Sequence, residues 1–69
     1  MQVDARGMRC PWPVLRLARA MREAGPDARV VLLADDPKAE GEVRALAEAQ
    51  GWTLEVDAID GAVRFAVSA

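Results

Sequence analysis

The single cysteine, Cys10, is the residue best able to do chemistry in this sequence, and it stands just before two closely spaced prolines at the start of a helical segment. Free backbone amides and the positive end of a helix dipole favour an anion at such a position. Arg6 and Arg9 add positive charge nearby. We therefore expect Cys10 to be a stabilised thiolate and to act as a nucleophile.

The prolines of the segment Cys10-Pro11-Trp12-Pro13 stiffen the turn that carries the cysteine. Pro11 suits the first helical position because it has no N–H to lose. Pro13 removes a second early donor and disfavours helical geometry at the preceding residue, so the helix can begin at either proline. A stiff turn would hold the sulfur outward, toward a partner.

An inert role for Cys10 stays open, because free cysteines are often buried and serve as small hydrophobes. A single cysteine cannot form an internal disulfide. The sequence has no histidine, which excludes histidine metal sites and the Ser/His/Asp and Cys/His nucleophile pairs. A thiol oxidoreductase is disfavoured because a resolving thiol is missing.

The helix after the cysteine carries a tryptophan and arginines on its polar side. Trp12, Arg16 and Arg19 point away from the apolar stripe of that helix. Exposed tryptophan beside arginine is typical of a binding hot spot, so we predict that these three residues dock a partner. The alternatives are a Trp12 ring folded back over the sheet edge and arginines that form only a solvated face.

Length and charge restrict the functional classes. A chain of 69 residues forms one domain, residues 1–69, without room for a deep substrate cleft. Residues 1–22 contain five arginines against Asp4 alone and are net +4, so the remainder is net −6 within a total of −2. A basic patch on an acidic body fits an acidic partner surface better than a nucleic acid, and no stable nucleic-acid binding is expected.

Hydropathy along the chain shows no signal-peptide run and no stretch of membrane-spanning length. We expect a cytoplasmic protein that acts away from membranes and uses no cofactor. A short first strand at the sheet edge gives little template for self-pairing, so a monomer is expected.

Apolar spacing predicts the first three elements. Gln2–Ala5 alternates and forms a short strand with Val3 inward. The next helix starts near Pro11 and ends at Gly25-Pro26-Asp27. The unbroken apolar run within 28–34 predicts a strand in the middle of the sheet, buried on both faces. In the helix that starts near Pro11, the residues predicted to face the core are Val14, Leu17, Ala18 and Met21.

The segment Asp35-Asp36-Pro37 opens the second helix, which Gly51 ends. Asp36 can accept hydrogen bonds from the free amides, and Pro37 suits the first helical position. Two adjacent carboxylates could suggest a metal, but a helix cap explains them more simply and no metal site is predicted. The inner stripe of this helix consists of Ala39, Val43, Leu46, Ala47 and Gln50.

Two alternating segments follow, separated by Asp60-Gly61. A two-residue type I′ turn there would pair Val56 with Phe65 and Asp57 with Arg64. The spacing makes Trp52 and Phe65 core residues. The order βαβαββ with right-handed crossovers predicts an α/β (α+β) two-layer sandwich, in which two helices cover one face of a mixed four-stranded sheet.

Residues 4–13, DARGMRCPWP, match the D-x-x-G-x-x-C-P-x-P signature of the TusA (SirA-like) sulfur-carrier family at every fixed position. Residues 34–37, ADDP, also resemble the segment that opens the second helix in many members. The resemblance covers essentially the whole chain. The fixed positions around Cys10 are Asp4, Gly7, Pro11 and Pro13, and we expect these residues and the neighbouring Arg9 to support the site. Asp4 can cap or orient the loop, Gly7 can supply a positive φ, and the charge of Arg9 favours the thiolate.

The resemblance implies a fold like the C-terminal domain of the third translation initiation factor, with the last strand antiparallel to the others. It also implies a sulfur carrier of the sulfurtransferase class. Cys10 would take sulfane sulfur as a persulfide from a cysteine desulfurase or rhodanese and pass it to a downstream acceptor protein. Family destinations include tRNA thiolation, molybdenum-cofactor enzyme maturation and sulfur oxidation. The alternative is a non-catalytic regulatory or interaction module with a structural cysteine.

Overall fold

The computed structural model describes all of residues 1–69 and contains two helices and four strands in the predicted order βαβαββ. The apolar periodicities read from the sequence therefore identified each element correctly. Neither helix is long and apolar enough to cross a membrane. The elements are β1 (Gln2–Asp4), α1 (Trp12–Ala24), β2 (Arg29–Ala34), α2 (Ala39–Gln50), β3 (Thr53–Ile59) and β4 (Ala62–Ser68).

The four strands form one sheet in the order β1-β2-β4-β3. β1 pairs with β2 in parallel, and β4 pairs antiparallel with both β2 and β3. β1, β2 and β3 thus run in one direction and β4 runs against them, which confirms the mixed sheet and the antiparallel last strand. β1 lies at an edge, as expected.

The core lies between one face of the sheet and the two helices. Val3, Leu32 and Phe65 come from three neighbouring strands and are aligned by the strand register. Leu17 of α1 and Val43 of α2 cover this row, and both are fully buried. Burial of such side chains is the main source of stability in a chain that has no disulfide.

The inner faces of the helices differ in part from the prediction. In α1, Leu17 and Met21 are buried as expected, but Pro13 and Ala20 complete the stripe, whereas Val14 and Ala18 are half-buried. Both sets of positions fit a helical period. The buried face is therefore rotated away from Val14 and Ala18, toward Pro13 and Ala20.

In α2, Ala39, Val43 and Ala47 are buried as predicted, but Leu46 is half-buried and Gln50 is exposed. Gln50 is the last helical residue, so its amide reaches water. Trp52 is also half-buried and not a full core residue, because it leads into the edge strand β3.

The burial of β2 on both faces holds only in part. Leu33 is buried on the face away from the helices, but Val31 on that face is half-buried and Arg29 is exposed. The reason is that both helices cover the opposite face of the sheet. Arg64 of β4, the register partner of Leu33, lies over this outer face and pairs with Asp57 at 3.3 Å.

The β3–β4 hairpin has the predicted register, which pairs Val56 with Phe65 and Asp57 with Arg64. The predicted turn type is wrong. A type I′ turn needs positive φ at both central residues, whereas Gly61 has φ +66° and Asp60 has no positive φ. The register is as predicted because the loop between the paired residues Ile59 and Ala62 still has two residues.

Truncation of a buried leucine in α1 tests this account of the core. We expect Leu17→Ala to lower the free energy of unfolding by about 3 kcal/mol, because it removes buried methyl groups and leaves a cavity. Leu15→Ala on the exposed side of the same helix is the control and should change it by less than about 0.5 kcal/mol. Urea denaturation measures both, and equal effects would contradict the assigned core.

Candidate functional site

The loop after β1 and the segment after β2 lie at the same edge of the sheet, because these strands are adjacent and parallel. Such carboxyl-terminal edges are the usual place for sites in sheets of this kind. Both helices also begin there. The two segments enclose an open depression of about 560 Å³, lined by Gly7, Arg9, Cys10, Asp35, Asp36, Pro37, Lys38 and Glu42.

Two aspartates hold the cysteine loop against the start of α2. The Gly7 N–H donates to both carboxylate oxygens of Asp35, at 2.9 and 3.1 Å. The Cys10 N–H donates to Asp36 Oδ2, and the Lys38 N–H donates to Asp36 Oδ1 at 3.0 Å. We call this arrangement the aspartate clamp. The amides of Lys38 and Cys10 hold the pKa of Asp36 below its ordinary value.

The predicted cap of α2 is therefore only partly right. The helix begins at Ala39 and not at Pro37. Asp36 accepts from the residue that precedes the first helical residue, as in an Asx turn. Asp35 takes no part in this turn, since its carboxylate is directed to the cysteine loop.

Cys10 is partly exposed and immediately precedes Pro11, the N-cap of α1. The peptide bond between Cys10 and Pro11 is cis. The Cys10 Sγ donates to Glu42 Oε1 at 2.7 Å. The hydrogen bond to Glu42 raises the pKa of the thiol, and so do burial and the negative charges of Glu42 and Asp36, while Lys38 acts in the opposite direction. The expected stabilised thiolate is therefore wrong for the free protein.

The helix start offers less to an anion than the sequence suggested. The Trp12 N–H donates to the Arg9 carbonyl at 2.9 Å, and Pro13 has no N–H. Only the Val14 amide of the first turn has no acceptor. The dipole therefore acts on the sulfur with few free donors.

The predicted arginines do not support the sulfur either. Arg6 donates to Asp4 through Nε and Nη2 at 2.9 and 2.8 Å, which lowers the pKa of Asp4 to about 2. Arg9 lines the depression and favours ionisation of Asp36. Lys38, which the sequence did not single out, is the cation that acts on Cys10.

The remaining motif residues shape the loop. Gly7 has φ +83°, as predicted. Asp4 orients the loop by accepting the Arg6 N–H at 3.1 Å. Pro11 is the N-cap of α1 and not its first residue, and the buried Pro13 is the second helical residue.

The predicted docking residues share one exposed side of α1, close to Cys10 in sequence. Trp12 is 61% exposed, so its ring is not folded away from solvent. Leu15, which the sequence did not single out, is 51% exposed and lies on the same side by helical spacing. Arg16 approaches the Met8 sulfur, and Arg19 pairs with Glu23 at 3.4 Å. We call Trp12, Leu15, Arg16 and Arg19 the α1 surface.

The sequence did not predict the contact of Glu42 with Cys10. It also did not predict that Asp35 and Asp36 accept hydrogen bonds from the cysteine loop. Glu42 is acidic in the first turn of α2, and that turn begins at the same sheet edge as the cysteine loop. Parallel pairing of β1 and β2 would have been the signal. It brings the first turn of α2 to the loop in which Cys10 lies.

The sequence also matches known proteins. Residues 1–69 match the model of the family described as sulfurtransferase TusA. The chain belongs to the TusA sulfurtransferase family. This confirms the family that the motif indicated.

Relatives support both the fold and a role in carrying sulfur. A protein of Archaeoglobus fulgidus, named as a proposed sulfur carrier, is 41% identical over 68 residues, which cover 96% of this chain and 88% of the relative. The crystal structure of a SirA-like protein from Desulfitobacterium hafniense has a TM-score of 0.91 at 30% identity, covering 100% of this chain and 97% of that one. The two-layer α+β fold of this TusA-family chain is thus an observed family fold.

Removal of one clamp carboxylate tests its contribution to stability. We expect Asp36→Ala to lower the melting temperature at pH 7, because the Cys10 and Lys38 amides lose their acceptor. The pKa of Asp36 is lowered by folding from 3.8, so its contribution is present above that pH and is lost as the pH falls through the folded value. The gap between wild type and variant should therefore close below about pH 4.

Differential scanning calorimetry from pH 7 to pH 2 measures this gap. Asp27→Ala is the control, because Asp27 is exposed and its side chain accepts no hydrogen bond in the structure. That variant should melt with wild type. A gap for Asp36→Ala that stays constant down to pH 2 would rule out the carboxylate as its source.

Proposed function

We propose that this chain accepts sulfane sulfur on Cys10 as a persulfide and transfers it to a downstream acceptor protein. The observation that carries the proposal is the position of Cys10. It is the only cysteine of a TusA-family chain, is partly exposed and lies on an open depression with its backbone held by Asp36.

The proposed transfer is thiol–disulfide-type exchange. The Cys10 thiolate attacks the outer sulfur of a donor persulfide, a new S–S bond forms, and the donor S–S bond breaks. The inner sulfur of the donor leaves as a thiolate and is then protonated. The persulfide on Cys10 persists, because no second cysteine is present to attack it.

A second function has one observation in its favour. The Cys10 thiol donates to Glu42 and so links the loop after β1 to α2, as a structural cysteine would. In that case the chain would be a non-catalytic regulatory or interaction module of the same fold. Sulfur loading separates the two functions.

The proposed donors are a cysteine desulfurase or a rhodanese, which dock on the α1 surface beside Cys10. A half-exposed tryptophan and leucine next to two arginines provide apolar area and positive charge together. We further propose that the protein acts as a monomer in the cytoplasm, where thiols stay reduced, and without stable nucleic-acid binding.

Sulfur loading can be followed by intact-protein mass spectrometry. After incubation with a cysteine desulfurase and cysteine, the wild-type protein should gain the mass of one sulfur atom, and dithiothreitol should remove it. Cys10→Ser should gain nothing. A wild-type protein that stays unmodified with a desulfurase and with a rhodanese would overturn the carrier function and favour the interaction module.

Docking can be tested on the α1 surface while Cys10 is kept. We expect Trp12→Ala to raise the KM of the desulfurase for this protein about tenfold, because a central tryptophan carries a large share of binding energy. Arg19→Glu should slow transfer several-fold by charge reversal. The measurement is the initial rate of persulfide formation at varied carrier concentration.

Arg44→Glu is the matched control for Arg19→Glu. Each arginine forms an i,i+4 ion pair, with Glu23 for Arg19 and with Glu40 for Arg44, so both variants lose one such pair. Arg44 lies on α2, outside the α1 surface. Equal slowing of transfer in the two variants would contradict docking of the donor on the α1 surface.

A further inference from the structure

The contact between Cys10 and Glu42 joins two parts of the chain that are 32 residues apart. Glu42 is exposed and lies in the first turn of α2. Its Oε1 accepts the thiol proton of Cys10 at 2.7 Å, and this is the only hydrogen bond that the Glu42 side chain makes. The carboxylate also has no cation within ion-pair distance.

The other charged groups around the sulfur have different tasks. Arg9 faces the depression from the loop after β1, and Asp35, Asp36 and Lys38 face it from the segment after β2. Both aspartates are occupied by backbone amides in the aspartate clamp. Glu42, from α2, is therefore the one carboxylate of the depression whose hydrogen-bonding capacity is directed at the sulfur.

We propose that Glu42 holds Cys10 in its protonated form in the free protein, and that a donor protein releases the sulfur by presenting a basic side chain to Glu42. The second half of this proposal rests on the proposed sulfur-carrier function. The partner chemistry is a lysine or arginine located beside the donor's own reactive sulfur.

The physical reason is that ionisation of Cys10 would leave a thiolate next to a carboxylate, two like charges in contact. The hydrogen bond from the thiol to Glu42 and the partial burial of the sulfur also raise the pKa of Cys10. A guanidinium or ammonium group that binds Glu42 replaces the thiol as hydrogen-bond donor and cancels the negative charge. The thiol proton then leaves to water, and the thiolate attacks the outer sulfur of the donor persulfide, whose inner sulfur departs as a thiolate.

Such a device would keep the resting cysteine poorly reactive toward oxidants and electrophiles, since the thiolate is the reactive form. It would also divide recognition into two parts. The α1 surface fits an acidic region of a partner, whereas the reacting centre fits a cation.

The first half of the proposal can be tested without any sulfur donor. The rate of Cys10 alkylation by iodoacetamide is measured from pH 6 to pH 11 for wild type and Glu42→Gln, which keeps the size and an acceptor oxygen but removes the charge. We expect the midpoint of the variant to move to lower pH and its rate at pH 7 to rise about threefold. The rise is only threefold because a gain of about tenfold in the fraction of thiolate is partly cancelled by a loss of about threefold in its nucleophilicity, which falls with the pKa of the thiol.

Glu48→Gln is the matched control, because Glu48 is an exposed glutamate of α2 that makes no ion pair and lies outside the depression. Its profile should coincide with that of wild type. If Glu42→Gln has an unchanged midpoint, or reacts more slowly at pH 7, the proposal fails; slower reaction would make Glu42 a proton acceptor that assists ionisation.

The second half is tested by comparing two donors. Glutathione persulfide has no protein surface, so Glu42→Gln should accelerate loading from it about threefold. Loading by a cysteine desulfurase should not be accelerated, because the enzyme already neutralises Glu42 in wild type. Equal acceleration with both donors would overturn the release by a basic partner side chain.

These outcomes separate the two proposals. Wild-type protein that takes sulfur from neither donor would contradict the sulfur-carrier function, while the alkylation profiles would still decide whether Glu42 holds the thiol protonated. Circular dichroism melting of Glu42→Gln beside wild type ensures that the compared proteins are folded.

Discussion

Two carboxylates that accept backbone amides hold this site together. Asp35 takes the Gly7 N–H and Asp36 takes the Cys10 N–H, so the loop that carries the sulfur is attached to the segment that begins α2. Loop amides facing a solvated depression would otherwise bind water and permit several loop conformations. The aspartate clamp provides acceptors for these amides and places the cysteine loop beside the segment that carries Lys38 and Glu42.

The clamp in turn depends on the topology. Residues 4–13 and 34–37 are separate motifs in the sequence, but each follows one of two adjacent parallel strands and so both reach the same sheet edge. In TusA-family terms, the cysteine motif and the ADDP segment are two halves of one site. The same arrangement brings Glu42 and Lys38 to Cys10, where Glu42 raises the pKa of the thiol and Lys38 lowers it.

The sequence carried more information about the fold than about the site. Alternation and a two-residue loop were enough for the β3–β4 register, because a one-residue slip would expose Phe65 and its partners. The electrostatics of Cys10 could not be read in the same way. Arg6 and Arg9 are near it in sequence, yet Arg6 is directed to Asp4, and the carboxylate that contacts the sulfur comes from a position 32 residues away. Side-chain directions in a polar depression follow from tertiary contacts, which periodicity does not record.

The insertion of β4 between β2 and β3 has a consequence for how the chain assembles. β2 and β3 are not hydrogen-bonded to each other, so both complete their ladders only through the final segment of the sequence, and Ala69 adds a bond to Ala28 beyond the strand. Without β4, the strands β2 and β3 would each have an open edge, and Phe65 and Val67 would be missing from the core. Formation of the complete sheet therefore requires contacts between segments that are far apart in sequence, which is typical of slow and cooperative folding.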